Sequence, residues 1–171
     1  MDTFLAIASR REVRLYSERP VPDDLQRRIL DAGRVSGSSQ NRQQRRFIWV
    51  KDRERLERLA DTVFAPANVR GCAFAVAISV WGRGPTAFDA GRAAQNMLLA
   101  AWNEGLGSCP NGMPDREAAG AVLGLPDGET PAIVLSFGYP RRTARAPESR
   151  SAEAWIEAAD RKPFDEVVER I

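Results

Sequence analysis

A chain of 171 residues with 43% hydrophobic and 28% charged side chains, 25 basic against 23 acidic, has the balance of an ordinary globular protein and excludes a disordered one. It is long enough to bury roughly 70% of the surface its unfolded form exposes, and residues 1–171 read as a single domain. A net charge of +2 is too small to declare a nucleic-acid partner, although all but two of the 25 basic residues are Arg. Histidine is missing altogether, which removes Ser-His-Asp and Cys-His nucleophiles, His-ligated zinc and any imidazole acid or base. Cys72 and Cys109 make no C-x-x-C pair, so a disulfide framework or zinc ribbon is unsupported and a reducing cytoplasm fits. No run approaches the ~20 apolar residues that cross a bilayer, and "MDTFLAIASRR" predicts neither a targeting segment nor a membrane partner.

In chain order, Asp2 to Ser9 predict a short helix with Phe4, Leu5 and Ala8 on one face, followed by the polar loop "RREVRLYSERP". Pro22, Asp23 and Asp24 suit a helix start, and Leu25, Ile29, Ala32 and Val35 recur at helical spacing in a helix that stops near Gly37. "RFIWV", Arg46 to Val50, predicts a strand, and Asp52 caps an amphipathic helix holding Leu56 and Leu59. "CAFAVAISV", Cys72 to Val80, predicts an interior strand. "TAFD", Thr86 to Asp89, has capping-box spacing and opens the longest helix, through about Glu104, whose apolar residues call for burial on several sides. "GLGS" ends it; a helix from about Asp115 to Leu123 and a third strand, Ala132 to Pro140, follow. The basic segment "RRTARAPESRS" leads to short helices over Ser151 to Asp160 and Phe164 to Arg170. This irregular alternation predicts an α+β fold with a sheet covered by helices.

Between the first long helix and the first strand lies "GSSQN", Gly37 to Asn41, a cluster of small polar residues that by itself reads as a loop. Together with "SRREVRLYSERPVP", "GSSQNRQQRRF", "FDAGRAAQNMLLAAWNEGLGSCPNG", "LGLPDGETPAIVLSFGYP" and "RKPFDEVV", it resembles the nitroreductase family of FMN-dependent oxidoreductases over nearly the whole chain. The resemblance implies a central, mostly antiparallel sheet flanked by helices, built as an intertwined homodimer with FMN at the subunit interface and NADH or NADPH as electron donor.

What the resemblance implies for the site is specific. Arg10, Arg11 and Arg161, with Lys162 beside it, stand where the family holds the FMN phosphate and ribityl chain. Arg14 stands beside the ring's N1 edge, where a fixed cation favours the reduced flavin. Ser38, Ser39, Asn41 and Gln43 stand where small hydroxyl and amide side chains meet the ring from the second subunit. Past Pro110, the backbone N–H groups of Asn111 and Gly112 stand at flavin N5, so Arg14, Asn111 and Gly112 are the candidate catalytic positions. The chain departs from the pattern at Glu12, in place of a small hydroxyl residue, at Gly37 in place of Pro, and at Gln44-Arg45 in place of Pro-Trp. These departures predict a looser loop.

The implied activity is ping-pong hydride transfer from NAD(P)H to a nitroaromatic, quinone or enone-type acceptor, with Phe64, Asn68, Trp81 and Phe88 lining the cleft. A short connection from Leu56 to Arg70 predicts a reduced lid and a broad acceptor range. Two alternatives stand beside it: a flavin-consuming or dehalogenating relative on the same scaffold, and a nonenzymatic basic nucleic-acid-binding module resting on Arg42, Arg45 and Arg46 beside Phe47 and Trp49. The first reading, with no nucleic acid among its partners, places the aromatics in an apolar core strand.

Overall fold

The computed structural model describes residues 1–142 and 146–171. They fall into two compact units, Glu12–Thr143 and Met1–Arg11 with Ala144–Ile171. Part of the basic segment "RRTARAPESRS" lies outside the described residues.

The larger unit runs α2 (Asp23–Arg34), β1 (Arg45–Val50), α3 (Arg53–Ala60), α4 (Pro66–Arg70), β2 (Phe74–Val80), α5 (Thr86–Asn103), β3 (Gly107–Asn111), α6 (Arg116–Leu123) and β4 (Thr130–Gly138); α1 (Thr3–Ser9) precedes it in the chain. Its sheet has the order β1-β2-β4-β3 with every neighbouring pair antiparallel. The unbroken apolar run of β2 is explained by cover on both faces. Phe74, Val76 and Ile78 point into a cluster with Ile29, Ala93 and Met97 of α2 and α5, while Ala75 and Ala77 point into a second cluster with Leu56, Leu59, Ala119 and Leu123 of α3 and α6. Phe74 stacks on Phe137 with ring centroids 4.9 Å apart, a contact that adds about 1 kcal/mol to its burial. Gly33 lets α5 approach α2, because a Cβ there would stand 3.0 Å from Met97.

Among the described residues, four strands replace the three that the sequence predicts. No strand is expected over "GSCPN", but its backbone pairs with β4, with Cys109 opposite Ser136. Helix α5 buries one stripe, Ala90, Ala93, Ala94, Met97, Leu98, Ala101 and Trp102, while Phe88, Arg92, Gln95 and Asn96 face outward, so burial on several sides is not seen in this chain. Its end follows expectation: Gly105 has φ +76°, and the Leu106 N–H returns to the Ala101 carbonyl. The capping box does not form. Thr86 lies inside the helix, Pro85 is the cap residue without a side-chain bond, and Asp89 is turned elsewhere.

The smaller unit packs α1 against α7 (Ala152–Glu157), with α8 (Phe164–Val167) ending three residues before the predicted Arg170. Asp2 caps α1 by accepting from the Phe4 and Leu5 N–H groups at 3.0 and 3.1 Å. Trp155 is its buried anchor, donating from Nε1 to the Pro147 carbonyl at 2.8 Å, with the guanidinium carbons of Arg11 and Arg150 at 5.2 and 5.3 Å from its ring. Phe4, Ile7, Phe164, Val167 and Val168 remain exposed.

Candidate functional site

Arg10 and Arg11 leave the end of α1, and Arg161 follows α7, 150 positions further along. All three line one pocket of about 220 Å³, whose other walls are Phe4, Ile7, Ala8, Ile156 and Ala159. Their duties differ. Arg11 donates to the Ala8, Arg10 and Trp155 carbonyls at 2.7, 3.0 and 2.8 Å, tying α1 to α7. Lys162 is exposed and is not part of that lining.

In the larger unit, Ser39–Asn41 form a 3-10 turn rather than an irregular loop, and Gln40, Asn41 and Gln43 have φ of 52°, 53° and 53°. Each left-handed residue costs on the order of 1–2 kcal/mol, so the surroundings must impose the shape. They do so from both ends. The Ser38 Oγ accepts from the Gln43 N–H at 2.9 Å, and the Ser39 N–H donates to Asp89 Oδ2 at 2.9 Å. The buried Arg45 guanidinium donates to the Ser36 carbonyl and, at 3.4 Å, to the Gly37 carbonyl. Burial, with Arg92 nearby, lowers the Arg45 pKa, and Asp89 opposes the shift. The loop predicted to be loose is therefore fastened by one of the residues that made it look so. Asn41 and Gln43 are exposed, Ser38 and Ser39 half-buried.

Glu12 and Arg14 lie on either side of Val13, whose N–H donates to the Ser108 carbonyl at 3.0 Å. Both charged side chains act on the Cys109 thiol. Burial raises that thiol's pKa, Arg14 draws it down and Glu12 pushes it up, so the sulfur stays protonated. Glu12 thus faces the thiol.

At the end of β3, the Asn111 side chain is 3% exposed and turned inward. Its Nδ2 donates to the Cys109 and Val134 carbonyls at 2.9 and 3.2 Å and to Ser136 Oγ at 3.1 Å, while Tyr16 OH meets Ser136 Oγ at 2.9 Å. This cluster fixes the backbone at Asn111 and Gly112. Asn68, expected to line the cleft, is buried in the same cluster, because α4 carries it inward. Phe64 is 75% exposed, its N–H donates to the Gly112 carbonyl at 3.0 Å, and a Cβ on Gly112 would stand 3.3 Å from its ring. Trp81 is half-buried and Phe88 exposed.

Asp89, Arg45, Tyr16 and Ser136 were not singled out from sequence as site-building residues, because each acts through a partner distant in the chain. The spacing of Asp89 even pointed to a local cap. Phe47 and Trp49, on which the nucleic-acid alternative rests, pack against the α2–α5 cluster, with Trp49 Nε1 donating to Gln26 at 2.9 Å. Among the described residues no helix is long and apolar enough to cross a membrane, and no group of acidic or cysteine side chains is placed to hold a metal ion.

The model of the Nitroreductase family matches residues 7–77 and 82–139. A protein of Methanothermobacter thermautotrophicus, provisionally named an NADH dehydrogenase/NAD(P)H nitroreductase, is 33% identical over 149 residues, 82% of this chain and 78% of its own length. An NADPH-flavin oxidoreductase of Vibrio harveyi is 29% identical over 158 residues, 81% of this chain and 66% of its own. The crystal structure of another protein provisionally named an NADH dehydrogenase/NAD(P)H nitroreductase, from Parabacteroides distasonis, superposes with a TM-score of 0.84 at 25% identity, covering 99% of this chain and 98% of that one.

Proposed function

Because the chain belongs to the Nitroreductase family, we propose that it is an FMN-dependent oxidoreductase that takes electrons from NADH or NADPH and reduces nitroaromatic, quinone or enone-type acceptors by a ping-pong cycle. The observation that carries this reading is the pocket in which Arg10, Arg11 and Arg161 meet from the two ends of the chain. A phosphomonoester needs cationic forks, and guanidinium groups are the donors that suit one.

Bound FMN supplies hydride acceptance and donation, which explains how a chain without histidine carries out redox chemistry. The chain's own residues bind and orient. Arg10 and Arg161 would hold the phosphate, with Arg11 and its three carbonyl bonds stiffening their wall. Ser38, Ser39, Asn41 and Gln43 offer hydroxyl and amide groups on an already shaped loop. Arg14 provides positive charge, and the N–H groups of Asn111 and Gly112 provide donors on a backbone that the buried polar cluster fixes. Phe64 presents an exposed aromatic face beside Gly112 for a planar donor or acceptor. The exposed Phe4, Ile7, Phe164, Val167 and Val168 of the smaller unit support assembly as a homodimer.

The decisive experiment purifies the protein, releases any chromophore by denaturation and identifies it by mass, then asks whether NADH or NADPH bleaches it without oxygen. A yellow dimer that is bleached and then reoxidised by a quinone is the expected result. Colourless protein that binds no added FMN at micromolar concentration would sink the reading.

A further inference from the structure

The Gly37–Gln43 loop is held from behind by two charged side chains, with a third beside them, none of which belongs to the loop itself. Arg45 forks onto the Ser36 and Gly37 carbonyls, which lie just past the end of α2, where a cation is favoured. Asp89, in the first turn of α5, accepts the Ser39 N–H, 50 positions away. Arg92, one turn on, has its Nη1 4.0 Å from Asp89 Oδ1, and its Nη2 lies 2.6 Å from where a Cβ on Gly37 would be. Asp89 and Arg45 are each 8% exposed, so the two charges bonded to the loop backbone are largely desolvated, with Arg92 half-exposed beside them.

We propose that Arg45, Asp89 and Arg92 are positioning residues that keep the Ser38–Gln43 segment in its ligand-ready shape before any ligand arrives. The inference rests on reading Ser38, Ser39, Asn41 and Gln43 as flavin contacts. Of the left-handed residues at 40, 41 and 43, Asn41 suits that conformation, but Gln40 and Gln43 are not favoured in it by their own side chains. Something outside the loop must fix them, and the Ser36, Gly37 and Ser39 backbone groups are where Arg45 and Asp89 attach. The Arg92 guanidinium lies against the backbone of Gly37, where a Cβ would meet it. A preformed loop spares the ligand the ordering cost, so the effect falls on cofactor affinity.

The test measures amide exchange at Ser39 and Gln43 in flavin-free protein, and FMN binding by quenching of flavin fluorescence, in native protein, Arg45→Met, Arg45→Lys, Asp89→Ala and Asp89→Asn. Arg45→Met and Asp89→Ala are expected to speed exchange at both amides and weaken FMN binding by roughly tenfold or more, as loss of a buried charge-assisted hydrogen bond implies. Asp89→Asn, which keeps an acceptor for the Ser39 N–H, should recover most of the loss. Arg45→Lys, which cannot fork onto two carbonyls, should not. Where either severe variant lacks a cooperative melt, Arg92→Ala, which removes a half-exposed group, should still weaken binding about threefold. Unchanged exchange, or faster exchange with native FMN affinity, overturns the proposal while the native protein still binds flavin. Native protein that quenches no flavin instead overturns the flavin reading, and the proposal with it.

Discussion

Asn68 donates from Nδ2 to Oδ1 of Asn111 across 2.9 Å, joining α4 to the end of β3 inside a cluster closed to water. Each amide is oriented by its neighbours, since the Asn111 Nδ2 already faces the Cys109 and Val134 carbonyls. Asn111→Asp puts a carboxylate against those two acceptors and is expected to destabilise the fold by ~3 kcal/mol or more, whereas Asn68→Ala strands one acceptor at ~1–3 kcal/mol. Urea midpoints read both. A native-like midpoint for Asn111→Asp would mean that water reaches the cluster.

Gly107 is packed against Val13 so closely that an added Cβ would stand 2.5 Å from the Val13 Cβ. Gly107→Ala is therefore expected to cost ~1–3 kcal/mol by overpacking, and Val13→Ala in the same chain should return part of it. The double-mutant cycle supplies the check: purely additive losses would show that the two residues do not share the space.

These two contacts also show why parts of the fold could not be read from the chain. The run Phe74 to Val80 announces an interior strand by composition alone, because every position is apolar or small. "GSCPN" carries Gly and Pro and becomes a strand only through β4, a pairing that leaves no local periodicity. The arginines at 10, 11 and 161 were found through a family resemblance, and no spacing rule would have joined them. Arg45 looked like an unexplained departure until the Ser36 and Gly37 carbonyls supplied its partners.

Arg11 and Arg161 line the same pocket but should fail differently. Arg11→Ala removes three bonds to carbonyls and a stacking contact with Trp155, so the expected result is a lower melting temperature, from a loss of ~1–3 kcal/mol. Arg161→Ala, at an exposed position, should leave melting unchanged and weaken FMN binding about tenfold, with a shallower salt dependence. Calorimetry and flavin titration in parallel distinguish them, and identical behaviour of the two variants would refute the division of labour.

Burial pushes the Cys72 thiol up to about 12 from an ordinary 9.0, with Arg53 opposing. Below pH 9.0 the thiol is neutral in both states and stability is indifferent to it. Between 9.0 and about 12 the unfolded chain gives up a proton that the folded chain keeps, so stability falls as pH rises. Cys72→Ala removes that contribution, and its urea midpoint should decline less steeply over the same window than that of the native protein. Cys109 and Tyr16, also raised by burial, remain in both proteins and leave the comparison intact. Superimposable profiles would show that the sulfur is not desolvated.

The two sulfurs share one further property. Peroxide attacks a cysteine thiol readily only where it is ionised and reachable. Cys72 and Cys109 are 2% and 3% exposed, and burial disfavours ionisation of both. A peroxide arriving at this chain therefore meets no reachable, readily ionised thiol from which to make a sulfenic acid.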